Sequence, residues 1–122
     1  MFEEVFKWRQ ASVVQARASK QVRTRIGRII HIPDVASDSS LFNLPVQANR
    51  ADGFKLALVL ISGKLNGLDA HIVHTQHDEI IAEAADGIAD QVSVIVKEIM
   101  QAAFKHIIPE IPFAVEPRVV EA

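Results

Sequence analysis

Three residues that can do chemistry, His77, Asp78 and Glu79, stand between two short β-branched runs of this sequence. The runs are Ile72-Val73 and Ile80-Ile81, and such a pattern is typical of the two strands of a hairpin. The hairpin would present two carboxylates and an imidazole at its tip. Carboxylate oxygens are good ligands for Mg²⁺, and sites that transfer phosphoryl groups use such ligands to hold metal ions. The sequence therefore predicts a hairpin tip that serves metal-assisted chemistry on phosphates.

Two other interpretations of the same segment stay open. Asp78 is a residue type common in tight turns, because its carboxylate accepts hydrogen bonds from nearby backbone amides. In addition, His71, His74, His77 and Asp78 form an H-x-x-H-x-x-H-D series, and imidazoles suit a transition metal such as zinc. Residues three apart on a strand face opposite sides, however, which would separate His74 from the other two histidines.

Composition predicts a folded protein of modest size. The chain has 122 residues, of which 49% are hydrophobic and 23% charged, so it belongs to the globular class and is expected to form a single domain over 1–122. It contains no cysteine, which excludes disulfides and thiolate metal sites. No apolar run approaches the roughly 20 residues of a membrane span, so we expect a soluble, cytoplasmic protein with no membrane partner.

Charge is divided unevenly along the sequence, although the net charge is only −2. Residues 1–33 hold seven Lys and Arg against two Glu, a net of +5, whereas 34–122 hold six basic residues against thirteen acidic ones, a net of −7. A basic segment followed by an acidic one suits a protein that binds both a polyanion and divalent cations. A solvated basic helix face is the other interpretation of residues 1–33.

The elements that position the hairpin are predicted from hydrophobic periodicity and turn residues. In chain order they are an N-terminal helix over 2–20, a short hairpin of 22–24 and 29–32, a polar loop over 34–40, a helix over 44–66, the hairpin itself, a helix over 86–107 and an edge strand over 112–116. Asn43 is the predicted cap of the second helix, with Pro45 in its first turn. We expect an α+β fold in which the hairpin and the C-terminal strand form a small antiparallel sheet backed by the two long helices.

Three motifs follow one another in an order that is recognisable. They are Thr24-Arg25-Ile26-Gly27-Arg28, Asn43-Leu44-Pro45-Val46-Gln47 and His77-Asp78-Glu79. The series resembles the C-terminal part of family A DNA polymerases, the DNA polymerase I type, in which a T-x-x-G-R hairpin and an N-x-P-x-Q helix precede the H-D-E hairpin called motif C. The resemblance covers roughly residues 2 to 117 and implies that the fold is part of a polymerase palm.

The resemblance implies roles for five residues. Asp78 and Glu79 would be catalytic carboxylates that bind Mg²⁺, while His77, Gln47 and Asn43 would contact DNA. Arg28 is a candidate contact to a DNA phosphate. Primer-template DNA and a deoxynucleoside triphosphate would be the partners of the complete enzyme. Hydrogen-bond donors suit the DNA contacts, because minor-groove acceptors occupy similar places in every base pair.

The sequence also departs from the family pattern. Ala48-Asn49-Arg50 stands where the family has glycine and small residues, and the 122 residues contain neither the D-[YF]-S-x-[IL]-E motif A nor the R-x-x-x-K-x-x-x-[FY]-G fingers helix. We therefore expect weak or absent Mg²⁺ binding and no polymerisation by this chain alone. It would work with a complementing polymerase chain, or it would be an inactive remnant that only binds DNA or other proteins. Exposed palm surface would also favour a homo-oligomer.

Overall fold

The computed structural model describes residues 2–121, which form an α+β fold as predicted. In chain order the elements are α1 (Glu3–Ser19), β1 (Gln21–Arg23), β2 (Ile29–His31), α2 (Asp38–Leu65), β3 (Ala70–Gln76), β4 (Glu79–Ala84), a 3-10 turn (Asp86–Ile88) and α3 (Ala89–Ile107). The strands pair as two antiparallel hairpins, β1 with β2 and β3 with β4. No helix in this part of the chain has the length and apolar character required to cross a bilayer.

The chain divides into two compact units, one up to Ala51 and one from Asp52 onward. Helix α2 contributes residues to both units, since it runs from Asp38 to Leu65. The single domain predicted for 1–122, with 1–33 and 34–122 as its parts, stays a prediction.

Helix α1 in the first unit is exposed over most of its surface, as its thin apolar stripe predicts. Ala16 is its one residue in the buried class. The Trp8 ring meets the Phe42 ring edge to face at 5.0 Å between centroids, and the Arg9 guanidinium lies 5.4 Å from the centre of the Phe42 ring. Arg17 adds an ion pair with Asp38. Helix α1 therefore buries little apolar surface, and it contacts α2 through aromatic and charged side chains.

Helix α2 begins earlier than the sequence predicts. Its first residue is Asp38, so Asn43 does not cap it and Pro45 lies inside it. Ser37 supplies the cap, because its hydroxyl accepts a hydrogen bond from the Ser40 N–H at 3.2 Å. Proline removes one backbone donor from a helix interior, and the residues upstream of Pro45 remain helical nonetheless. The predicted start at 44 and the predicted cap at Asn43 are therefore wrong.

The core of the second unit lies between the second half of α2, the β3–β4 hairpin and α3. Its buried residues are small and medium apolar side chains together with one phenylalanine: Ala57, Ile61, Leu65, Ala70, Val92, Met100, Ala103 and Phe104. Together with the partly buried Ile95, Val96 and Ile99, those of α3 follow spacings of three and four, which is why its helix was predictable. The hairpin packs against this core.

The predicted edge strand over 112–116 is not formed. From Ile108 to Glu121 the described chain contains neither helix nor strand. Phe113 and Val115 still turn towards the core, and the Phe113 ring stacks on Phe104 with centroids 4.7 Å apart. The segment thus packs by its side chains without joining the sheet. The predicted three-stranded sheet is thus a two-stranded hairpin.

Candidate functional site

The tip of the β3–β4 hairpin is a two-residue turn. Gln76 pairs with Glu79 at the end of the ladder, which leaves His77 and Asp78 as the turn residues. Two-residue turns match the twist of antiparallel strands and hold their flanking residues tightly in register. The predicted hairpin and its polar tip are confirmed as local structure.

His77 occupies a backbone conformation that residues other than glycine seldom adopt. Its φ is +53°, in the left-handed region that glycine enters without strain. Two-residue hairpin turns require such a positive φ, and glycine or asparagine usually supplies it. A residue that accepts backbone strain at a loop tip is often one whose side chain has a function.

The two carboxylates of the tip, Asp78 and Glu79, belong to exposed residues. They are adjacent in sequence and provide the hard oxygen ligands that Mg²⁺ prefers. Among residues 2–121, however, no group of three or more His, Asp and Glu side chains is placed to hold a metal ion. A magnesium ion at this tip would therefore need further donors from outside these residues.

The histidines of the H-x-x-H-x-x-H-D series do not form a metal cluster in the described chain. His71 Nε2 lies 3.4 Å from the Glu83 carboxylate on the neighbouring strand, and His74 is opposite Ile81. A register irregularity between Ile72 and His74 interrupts the strand that carries them. The transition-metal interpretation is not supported.

Asn43 and Gln47 lie on α2 in the first unit. Residues four apart share a helix face, so the two amides point to the same side. Both residues are exposed, whereas Leu41 and Ala48 are buried at 1% and 4% exposure. The arrangement leaves two adjacent amide groups available to a ligand.

Arg28 is half-buried in the first unit at the end of the β1–β2 turn. Its Nη2 donates to the Ala48 carbonyl at 3.3 Å, so the guanidinium fastens this turn to α2. Arg28 therefore has a structural contact in this unit, and its contact with DNA stays a prediction. His77, Asp78 and Glu79 belong to the second unit, and Asn43, Gln47 and Arg28 to the first.

Thr24 and Asn49 position the turn, and the sequence motifs did not assign them this function. Thr24 is 4% exposed, and its Oγ1 accepts the Arg28 N–H at 3.1 Å. Asn49 Oδ1 accepts the Arg25 N–H at 2.9 Å. Gly27, with φ +93°, completes the turn. A threonine and a glycine three residues apart are a signal for such a turn, whereas the Asn49 contact spans 24 positions and leaves no local signal.

Comparison with known proteins identifies the family. The sequence model of DNA polymerase family A matches residues 1–121. The thermostable DNA polymerase I of Thermus filiformis is 32% identical over 117 residues, covering 88% of this chain and 14% of the relative. The DNA polymerase I of Aquifex aeolicus is 40% identical over 76 residues, covering 61% of this chain and 13% of the relative.

A solved structure shows the same fold. The POL domain of Pol1 from M. smegmatis, in complex with DNA primer-template and dNTP, superposes with a TM-score of 0.73 at 26% identity. The match covers 81% of this chain and 19% of that chain. The chain therefore spans a small part of the length of its relatives, and it belongs to DNA polymerase family A.

Proposed function

We propose that this chain supplies the motif C hairpin and duplex-DNA contacts of a family A DNA polymerase site, with motif A and the fingers helix coming from elsewhere. The observation that carries the proposal is the two-residue turn at His77 and Asp78, followed by Glu79, within a chain that matches the family model over residues 1–121. In this proposal the chain is the C-terminal part of a palm.

Asp78 and Glu79 would hold Mg²⁺ together with carboxylates from the missing part of the site. DNA polymerases of this family use divalent metal ions. When bound, such ions activate the primer hydroxyl and neutralise the charge of the departing pyrophosphate. The contribution of this chain is to hold the two carboxylates rigidly, because a two-residue turn on a paired ladder leaves the backbone little freedom.

His77, Asn43 and Gln47 would bind the DNA. Asn43 and Gln47 are exposed on one face of α2, and amide donors can pair with minor-groove acceptors of any base pair. Contacts of this kind test the geometry of a base pair without reading its sequence. The His77 imidazole would reach the primer end in the same way.

The net charges of the two units support DNA binding by the first unit and metal binding by the second. The unit up to Ala51 holds eight Lys and Arg against four Asp and Glu, a net of +4, and the unit from Asp52 holds five against eleven, a net of −6. The first balance suits the phosphates of primer-template DNA, and the second suits metal ions and a hairpin that carries carboxylates.

A mixing experiment tests the proposal. The chain is combined with a family A polymerase that lacks the matching segment, and incorporation of nucleotides into a primer-template is measured with Mg²⁺. We expect incorporation by the mixture and by neither chain alone. Asp78→Asn should abolish it, whereas Asp86→Asn removes a carboxylate at the start of the 3-10 turn and should preserve it. Absence of any gain on mixing would count against a split polymerase.

A second candidate is an inactive remnant that binds DNA or another protein. The net charge of +4 in the unit up to Ala51 favours it, because binding to phosphates through Lys and Arg needs no metal site. In that case Asp78→Ala leaves DNA affinity unchanged in the presence and absence of Mg²⁺, and magnesium titration shows no saturable site. Mg²⁺-dependent DNA binding that Asp78→Ala removes would exclude the remnant.

A further inference from the structure

Arg50 lies on the same face of α2 as the two amides assigned to DNA. It follows Gln47 by three residues and Asn43 by seven, the spacings that keep residues on one side of a helix. At 100° per residue the three positions span about 60° of the helix circumference. Leu41 and Ala48, which are buried at 1% and 4% exposure, lie on the opposite side. Asn43, Gln47 and Arg50 are all exposed.

The position of Arg50 along the helix suits a phosphate. It is about 4.5 Å further along the axis than Gln47. The DNA minor groove is about 6 Å wide and bordered by phosphates on both sides. Asn43 and Gln47 already lie about 6 Å apart along the helix axis. Where α2 crosses the groove, the next residue on this face, Arg50, would therefore come close to the backbone at its edge. Arginine is the side chain best suited to that place, because its planar guanidinium donates two parallel hydrogen bonds to phosphate oxygens.

We propose that Arg50 contacts a backbone phosphate of duplex DNA beside the base pairs that Asn43 and Gln47 reach, a proposal that rests on the function given above. Arg50 would thereby add a cation to the DNA face, beside Arg28, whose Nη2 donates to the Ala48 carbonyl. Arg50 is a binding residue in this account and takes no part in the chemical step.

The salt dependence of DNA binding tests the proposal. The affinity of the 122-residue chain for a fluorescent primer-template duplex is measured over a range of KCl concentrations without Mg²⁺. Each phosphate contact contributes about −0.9 to the slope of log K against log salt. Arg50→Ala should therefore make this negative slope shallower by about 0.9, so that the ratio of wild-type to variant affinity falls about 3.5-fold between about 50 and 200 mM. Arg50→Lys should keep the slope.

Lys97→Ala is the matched control, because it removes one exposed positive charge from α3. It should leave the slope unchanged. Arg50→Gln serves as a second variant that keeps a polar side chain, and circular dichroism verifies that each variant is folded. An unchanged slope in both Arg50→Ala and Arg50→Gln, or an equal fall in Lys97→Ala, overturns the Arg50 contact while the proposed function stands. If the wild-type chain binds no duplex at any salt concentration, the Arg50 contact fails together with the DNA contacts proposed for Asn43 and Gln47.

Discussion

Replacing Gly53 with alanine tests how closely α2 packs on α3 behind the hairpin. A Cβ atom added at Gly53 would lie 2.7 Å from Phe104 Cδ1 and 3.0 Å from Phe104 Cε1. Carbon atoms in favourable contact are about 3.5–4.0 Å apart. The ring has little room to withdraw, since Phe104 is 5% exposed and stacks on Phe113 at 4.7 Å between centroids. Either the ring or the helix must move.

The expected change in the free energy of unfolding has two parts. Overpacking a buried contact costs about 1–3 kcal/mol. Alanine regains about 1 kcal/mol over glycine through helix propensity. Gly63→Ala in the same helix isolates the second part, because a Cβ there meets nothing within 4 Å. The two variants should therefore differ in stability by about 1–3 kcal/mol, with Gly63→Ala the more stable.

Urea unfolding followed by circular dichroism measures this difference. Gly63→Ala should exceed the wild type by up to about 1 kcal/mol, and Gly53→Ala should fall below it or match it. A Phe104→Leu background provides the second test, because removing the ring should shrink the difference between the two alanine variants. If Gly53→Ala stabilises the protein as much as Gly63→Ala does, the close contact between α2 and α3 is wrong.

The turns yield three further predictions. His77→Gly relieves left-handed strain of about 1 kcal/mol and should leave urea stability equal or higher while weakening duplex binding in fluorescence anisotropy; equal affinity would rule out an imidazole contact. Thr24→Val should lower unfolding free energy by about 1–2 kcal/mol because the Arg28 N–H loses its acceptor, and Thr24→Ser should restore most of it unless the methyl group is what matters. Asn49→Ala should lower it by about 0.5–1.5 kcal/mol, and Asn49→Asp, which keeps an acceptor, should lower it less.

The hairpin and α3 could be predicted because their signals are local. β-branched runs on either side of a polar pair specify two strands and a tight turn, and the apolar residues of α3 recur with a single helical period. The same reasoning placed Asp78 at the tip and Glu79 beside it, which the structure confirms as geometry. Their role in metal binding stays a prediction.

The start of α2 was missed because two local signals conflict. Pro45 favours a first turn, and Asn43 favours a cap, so the sequence indicates a start at 44. Ser37 is an equally good cap, and Ser40 donates to it. The helix therefore begins at Asp38, whose carboxylate also forms an ion pair with Arg17 in α1. A contact between residues 21 positions apart cannot be recognised from a local window.

The segment predicted as the C-terminal strand shows alternating burial that has another cause than strand pairing. Phe113 and Val115 alternate with exposed residues because both pack on the apolar core. Alternating burial indicates an extended backbone, whereas a strand also needs a neighbour that offers paired donors and acceptors. The contact between Arg28 and Ala48 could not be predicted from the sequence either, because it depends on how the β1–β2 turn packs against α2.

The central claim is that Asp78 and Glu79 are the motif C carboxylates of a polymerase site. A chimaera tests it most directly: this chain replaces the matching segment of the Thermus filiformis DNA polymerase I, and Mg²⁺-dependent primer extension is measured. We predict extension by the chimaera, a loss of about 10³-fold or more with Asp78→Asn, and no comparable loss with Asp86→Asn. A folded chimaera that extends no primer, or one that extends equally well with Asp78→Asn, would contradict the claim.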